Sequence, residues 1–214
     1  MGEGGRLGLF GGTFDPVHVG HLIVAGDVVE GLKLDRLLVV PAGRPPHREA
    51  VLPAQARLDF VRRAFRGDPR IEVSDVEVRR AGPSYTVDTL SWIHDAYRPA
   101  RLFLVMGVDQ LEILASWHEY ERLAELADLV VMTRGGEESG ACEAPAGVDV
   151  RLLAVTRVDL SATRIRERLG RGMTVRYLVP ESIREELERT WREGSLEAPS
   201  TPAIGGNDAT RHVY

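Results

Sequence analysis

The opening forty residues restrict the fold more than any other stretch of this chain. Arg6-Leu-Gly-Leu-Phe10 is a short apolar run ending in Gly11-Gly12, which reads as a buried strand entering a tight loop. From Val19 to Leu32 the pattern is helical, with Val19, Leu22, Ile23, Val28, Val29 and Leu32 on most sides, as in a largely buried helix. Arg36-Leu-Leu-Val-Val-Pro41 is a second buried strand. Strand, crossover helix and strand make a βαβ unit, which requires parallel pairing. The alternation continues. Leu58, Val61 and Phe65 mark a helix, Ile71 to Val78 a strand pattern, and Val87, Leu90, Ile93 and Tyr97 a helix. Arg101 to Met106, Asp128 to Thr133 and Val148 to Val155 read as strands, and Ala162 to Leu169 and Pro180 to about Arg192 as helices. The expectation is an α/β fold: a doubly wound, mostly parallel sheet with helices on both faces.

A chain of 214 residues suffices for one well-buried domain. We expect one domain over residues 1–194. Residues 195–214 contain Pro199, Pro202, Gly205 and Gly206 without a period and read as a mobile tail, and Gly135 to Gly147 as a surface loop. No apolar run approaches the ~18 residues of a membrane span, and no signal-peptide pattern follows Met1. The single cysteine, Cys142, excludes an intramolecular disulfide framework and a Cys-rich zinc site. A cytoplasmic location is the resulting expectation, and homo-oligomer formation is left open. A net charge of −5 gives no electrostatic invitation to nucleic acid. Lys33 is the one lysine, flanked by Leu32 and Leu34, so there is no GxxxxGK[ST] phosphate loop. Phosphates would be held by arginine, histidine, backbone N–H groups and metal.

The densest chemical signal is Gly11-Gly-Thr-Phe-Asp-Pro-Val-His-Val-Gly-His21, placed where the first strand feeds the first helix. Open α/β sheets bind ligands at that carboxyl edge. Gly11 and Gly12 allow a turn that approaches a ligand closely. His18 and His21 are three apart on the first helical turn and share a face. Gly20 between them leaves a side-chain-free spot for a flat ring. A helix N-terminus favours anions, and two imidazoles titrating near neutrality suit phosphate oxygens. Taken alone, the histidine pair also fits a capping residue and a core residue. No third ligand is spaced to complete a zinc site.

The string resembles the [HT]xGH signature of a nucleotidyltransferase superfamily, here His18-Val-Gly-His21. Further matches resemble its bacterial nicotinate-nucleotide adenylyltransferase branch. Pro45-Pro-His-Arg48 is similar to PPHK, with Arg48 in place of lysine, and Ser84-Tyr-Thr-Val-Asp-Thr-Leu90 to SYTxDTL. Met106-Gly-Val-Asp109 followed by Trp117 resembles a GxD…W element, and Leu160-Ser-Ala-Thr-Arg-Ile-Arg166 a second signature, ISSTxIR. Tyr177-Leu-Val-Pro180 matches the segment leading to the last helix. The resemblance covers about Leu7 to Arg192. It implies a Rossmann-like fold and the reaction of ATP with nicotinate mononucleotide to give nicotinate adenine dinucleotide and pyrophosphate. It implies Mg²⁺ bound through the ATP phosphates, with no protein metal ligands. His18, His21 and Arg166 would act on the reacting phosphates. Gly11, Gly12, Thr13, Phe14, Gly20, Gly107, Asp109, Ser161 and Thr163 would bind ATP. Arg48, Ser84, Tyr85, Thr86, Trp117 and Arg134 would bind the mononucleotide.

The residues read independently agree. Ser161 to Arg171 carries a net charge of +3, and Ser161 is a good N-cap, so hydroxyl, N–H groups and arginine form an anion site. A solvated basic face is the plain alternative, and it suits Arg168 and Arg171. Asp109 directly follows a buried strand and can accept ribose hydroxyls, or be a plain N-cap. Trp117 can stack on a pyridine ring or pack in the core. Two other readings remain: a transferase acting on nicotinamide mononucleotide or phosphopantetheine, and a regulatory nucleotide-binding module without turnover.

Overall fold

The computed structural model describes residues 4–46, 49–134 and 144–193, with Arg134 described for its main chain. The expected tail, most of the 135–147 loop, Cys142 and Arg48 lie outside the described residues. Among the described residues six strands form one sheet, β1 (Arg6–Gly12), β2 (Arg36–Pro41), β3 (Ile71–Val73), β4 (Arg101–Gly107), β5 (Asp128–Arg134) and β6 (Val150–Val155), ordered β3-β2-β1-β4-β5-β6. Every pairing is parallel, so the sheet is wholly rather than mostly parallel. The central strands bury both faces, which is why they read as unbroken apolar runs. Leu37 and Val39 of β2, with Phe103 and Val105 of β4, face one cluster; Leu38, Val40, Leu102 and Leu104 face the other.

Helices α1 (Val19–Gly31), α2 (Ala54–Ala64), α7 (Ala162–Gly170) and α8 (Glu181–Arg192) cover the first face. The second is covered by α4 (Thr86–Tyr97), α5 (Val108–Glu112), a 3₁₀ turn at Leu114–Ser116 and α6 (Tyr120–Leu126). No helix among the described residues is long and apolar enough to cross a membrane.

The strand expected over Ile71 to Val78 ends at Val73, and α3 (Val76–Arg79) follows. Alternating apolar residues suggested one strand, but Ser74 and Asp75 break it. Ser74 N makes the last bond to β2, at Val39 O (3.0 Å), and its Oγ accepts from Val76 N (3.3 Å). Asp75 O then accepts from Arg79 N (2.9 Å), opening a helical turn. The α5–α6 segment was not expected from the sequence. Its pieces of five, three and seven residues are too short to display a helical period.

Candidate active site

Strand order reverses between β1 and β4, so their carboxyl ends diverge and leave a crevice. A cavity opens there. One wall is the β1–α1 loop, with Gly11, Gly12, Thr13, Phe14, Asp15, His18 and His21. Gly107, Asp109 and Gln110 follow β4, and Ser84, Tyr85 and Thr86 start α4. Trp117, His118 and Thr163 complete the rim. Gly11 and Gly12 remain within β1, and the left-handed position of this loop is Phe14, at φ 49°. The glycines therefore leave space rather than make the turn. At Gly107 a Cβ would lie 2.5 Å from Asp109 Oδ1, so a side chain there would push the carboxylate from its place over the strand end.

His18 is the N-cap of α1 and His21 its third residue. Their rings stack at 3.7 Å, and Phe14 meets the His21 ring edge-on at 4.9 Å. His21 Nδ1 accepts from His18 N (3.1 Å). Nδ1 is thus the acceptor, and a neutral His21 carries its proton on Nε2. The spot above Gly20 is taken by the protein's own ring: a Cβ there would be 3.0 Å from His18 Nδ1. The expectation that both imidazoles titrate near neutrality is corrected for His18. Burial pulls it from 6.5 down to about 4 by penalising the charged form. His18 is thus neutral at physiological pH in the free protein.

This shift predicts a stability slope. Below pH 6.5 the unfolded chain protonates His18, while the folded chain does so only near pH 4. Stability is full above that window and falls with pH, by about 2 kcal/mol at about pH 5. Urea midpoints at about pH 7.5 and 5 check this. The drop should shrink by that amount in His18→Asn, and an unchanged drop contradicts the assignment.

The opposite wall is the start of α4, capped by Tyr85 without a side-chain hydrogen bond. Tyr85 stacks on His118 at 4.3 Å. Ser84 Oγ accepts from Gly43 N (2.9 Å) and Arg44 N (3.1 Å). Its hydroxyl thus holds a loop, while Ser84 shares the cavity wall with Tyr85 and Thr86. Glu77, also on the cavity, is buried, which pushes its carboxyl up, against a hydrogen bond from Thr89 (2.7 Å). Trp117 lines the cavity half-buried, with its Nε1 buried.

Ser161, Gly20 and Arg166 stand behind the cavity wall. Ser161 caps α7, accepting from Arg164 N at 3.2 Å. Arg166 Nη1 donates to Asp15 O (2.6 Å) and Nη2 to Thr163 Oγ1 (3.1 Å), so it reaches the cavity through two lining residues. Arg168 donates to Thr174 O and so braces the end of α7. Arg134 ends β5, and Arg48 lies outside the described residues. Sequence reasoning missed Asp15, Glu77, Gln110 and His118. Asp15 had a signal, a carboxylate between the glycine pair and the histidines; the other three had none.

A cytidylyltransferase-like family model matches residues 9–168. A Thermomicrobium roseum protein named "Probable nicotinate-nucleotide adenylyltransferase" is 44% identical over 211 residues, covering 94% of this chain and 99% of its own. A Thermus thermophilus protein of the same name is 45% identical, covering 86% and 97%. In fold, the chain is similar to Plasmodium falciparum nicotinic acid mononucleotide adenylyltransferase complexed with NaAD. The TM-score is 0.68 at 16% identity, over 87% of this chain and 96% of that one. With its first signature at the switch point of this sheet and its second at the start of α7, the chain belongs to the cytidylyltransferase-like family, in the nicotinate-nucleotide adenylyltransferase branch.

Proposed function

We propose that the chain transfers the adenylyl group of ATP to nicotinate mononucleotide, giving nicotinate adenine dinucleotide and pyrophosphate in NAD biosynthesis. One observation carries this reading beyond family membership. Among the described residues, two buried side-chain polar atoms lack a hydrogen-bond partner, His18 Nδ1 and Trp117 Nε1, and both residues line the same cavity. Buried polar groups are rarely left unpaired; the Trp117 indole N–H marks a place for a ligand, while His18 Nδ1 lies against Gly20 at the foot of the same wall. One belongs to the phosphate wall and the other to the ring wall.

In this reading a phosphate oxygen of the mononucleotide attacks the α-phosphorus of ATP in line. The bond from the α-phosphorus to the bridging oxygen breaks, and pyrophosphate leaves with that electron pair. No protein nucleophile is needed, so the residues supply position and charge stabilisation. His21 donates from Nε2 toward the α-phosphate. His18 and the Arg166–Thr163 pair face the leaving side, and Asp109 holds ribose. Mg²⁺, held by the ATP phosphates rather than by protein side chains, would supply positive charge for the leaving pyrophosphate.

Pyrophosphate release with Mg-ATP and each of nicotinate mononucleotide, nicotinamide mononucleotide and phosphopantetheine tests the reading. Turnover should be fastest with the first, and binding without turnover would favour a regulatory module. Trp117→Ala should raise KM for the mononucleotide by roughly tenfold, the scale of one base–aromatic stack, and leave KM for ATP near the parent value. Trp117→Phe should restore most of the loss. An unfolded Ala variant with an unchanged Phe variant would make Trp117 a packing residue.

A further inference from the structure

Helix α2 carries Arg57, which touches none of the reacting groups yet is 1% exposed. Its guanidinium donates from Nε to Leu52 O (3.0 Å), from Nη1 to Thr13 O (2.7 Å) and from Nη2 to Gly43 O (3.1 Å). These carbonyls come from separate stretches of the site. Thr13 belongs to the phosphate wall. Gly43 opens the turn into Pro45 and Pro46, which line the cavity. Leu52 lies just before α2. Asp15 closes the same assembly from the other side. Its carboxylate accepts from Val51 N (2.8 Å) and Leu52 N (2.9 Å), while its main-chain oxygen accepts from Arg166 (2.6 Å). The Gly43 turn is also held from the α4 side, by Gly43 N donating to Ser84 Oγ (2.9 Å).

We propose that Arg57, braced by Asp15, is a positioning residue for adenylyl transfer: it fixes the separation of the loop that holds ATP and the loop that holds the mononucleotide. The proposal rests on the function proposed above. Burying a guanidinium is costly unless its donors are satisfied, and here they bind carbonyls that belong to both substrate loops. A planar fork reaches several fixed directions at once; an ammonium on a flexible stem does not. A displacement of about 1 Å between reacting groups can cost on the order of 10²-fold in rate. The effect of loosening this brace therefore falls on turnover with both substrates bound, more than on the binding of either.

Arg57→Lys and Asp15→Asn in the full chain test this, with kcat, both KM values and amide hydrogen exchange without ligand. Arg57→Lys should lower kcat by about tenfold or more, with each KM within about threefold of the parent. Amides of residues 43 and 44 should exchange at least about tenfold faster. Asp15→Asn should move kcat the same way. A folded Arg57→Lys with kcat within about threefold of the parent, or with its loss confined to the KM of one substrate, overturns the proposal. If Arg57→Lys does not fold, Asp15→Asn decides by the same criteria. If the parent makes no dinucleotide, the function reading falls, and exchange at residues 43 and 44 still decides the brace: faster exchange supports it and unchanged exchange overturns it.

Discussion

His21→Ala should lower kcat by about 10²-fold or more, the scale of removing one preorganised contact to developing charge. His21 Nδ1 accepts from His18 N at 3.1 Å, which assigns the proton of the neutral ring to Nε2. The ring is wedged between His18, stacked at 3.7 Å, and Phe14, edge-on at 4.9 Å, so its direction is set before substrate arrives. ATP affinity should change much less, because the contact strengthens as charge develops in the transition state. Truncation also removes the acceptor for the His18 N–H, a loss of about 1 kcal/mol of stability in comparable caps. His21→Asn separates the two effects. Its carbonyl can accept that N–H but cannot reach the phosphate as an imidazole does, so stability should return while kcat stays low. Turnover near the parent value in either variant removes His21 from the chemistry.

A second large effect is expected in the choice between acid and amide. Helix α4 begins at Thr86 with no side-chain cap, so the first N–H groups of a twelve-residue helix are left unpaired by side chains at the cavity wall. Nicotinate is a carboxylate and accepts at both oxygens, with the positive end of the helix favouring its charge. Nicotinamide is neutral and would turn an NH₂ donor toward donors. Each buried mismatch costs about 1–3 kcal/mol. Together with the lost charge interaction, discrimination should be roughly 10²–10⁴-fold in kcat/KM, within the range of hydrogen-bonding sites. The Ser84 hydroxyl contributes through the loop it holds, since it accepts from Gly43 N and Arg44 N. A kcat/KM ratio within about fivefold at saturating Mg-ATP would show that this helix start does not read the carboxylate, and the enzyme would act on both mononucleotides.

The legible parts of the sequence are those whose signal is local. β1, β2, β4 and β5 are buried on both faces, so each reads as an apolar run within its own few residues. The β1–α1 loop stood out because Gly11, Gly12, Thr13, His18 and His21 fall close together in sequence, and the structure places them on one cavity. Arg57 was not legible. It sits in an amphipathic helix near Arg62 and Arg63, and only the carbonyls of distant Thr13 and Gly43 distinguish it from a surface arginine. Glu77 was hidden in an alternating segment that mimics a strand. The His18 charge state was misread because a histidine's titration depends on burial, which the sequence does not display.

The most direct measurement follows the α-phosphate. The purified chain is given Mg-ATP labelled at the α-phosphorus together with nicotinate mononucleotide, and products are separated as turnover proceeds. One equivalent of label should appear in nicotinate adenine dinucleotide for each pyrophosphate released, with none on the protein and none in AMP. Label accumulating in AMP or on the protein, or no labelled dinucleotide at saturating substrates, would contradict direct adenylyl transfer between two substrates held in this cavity.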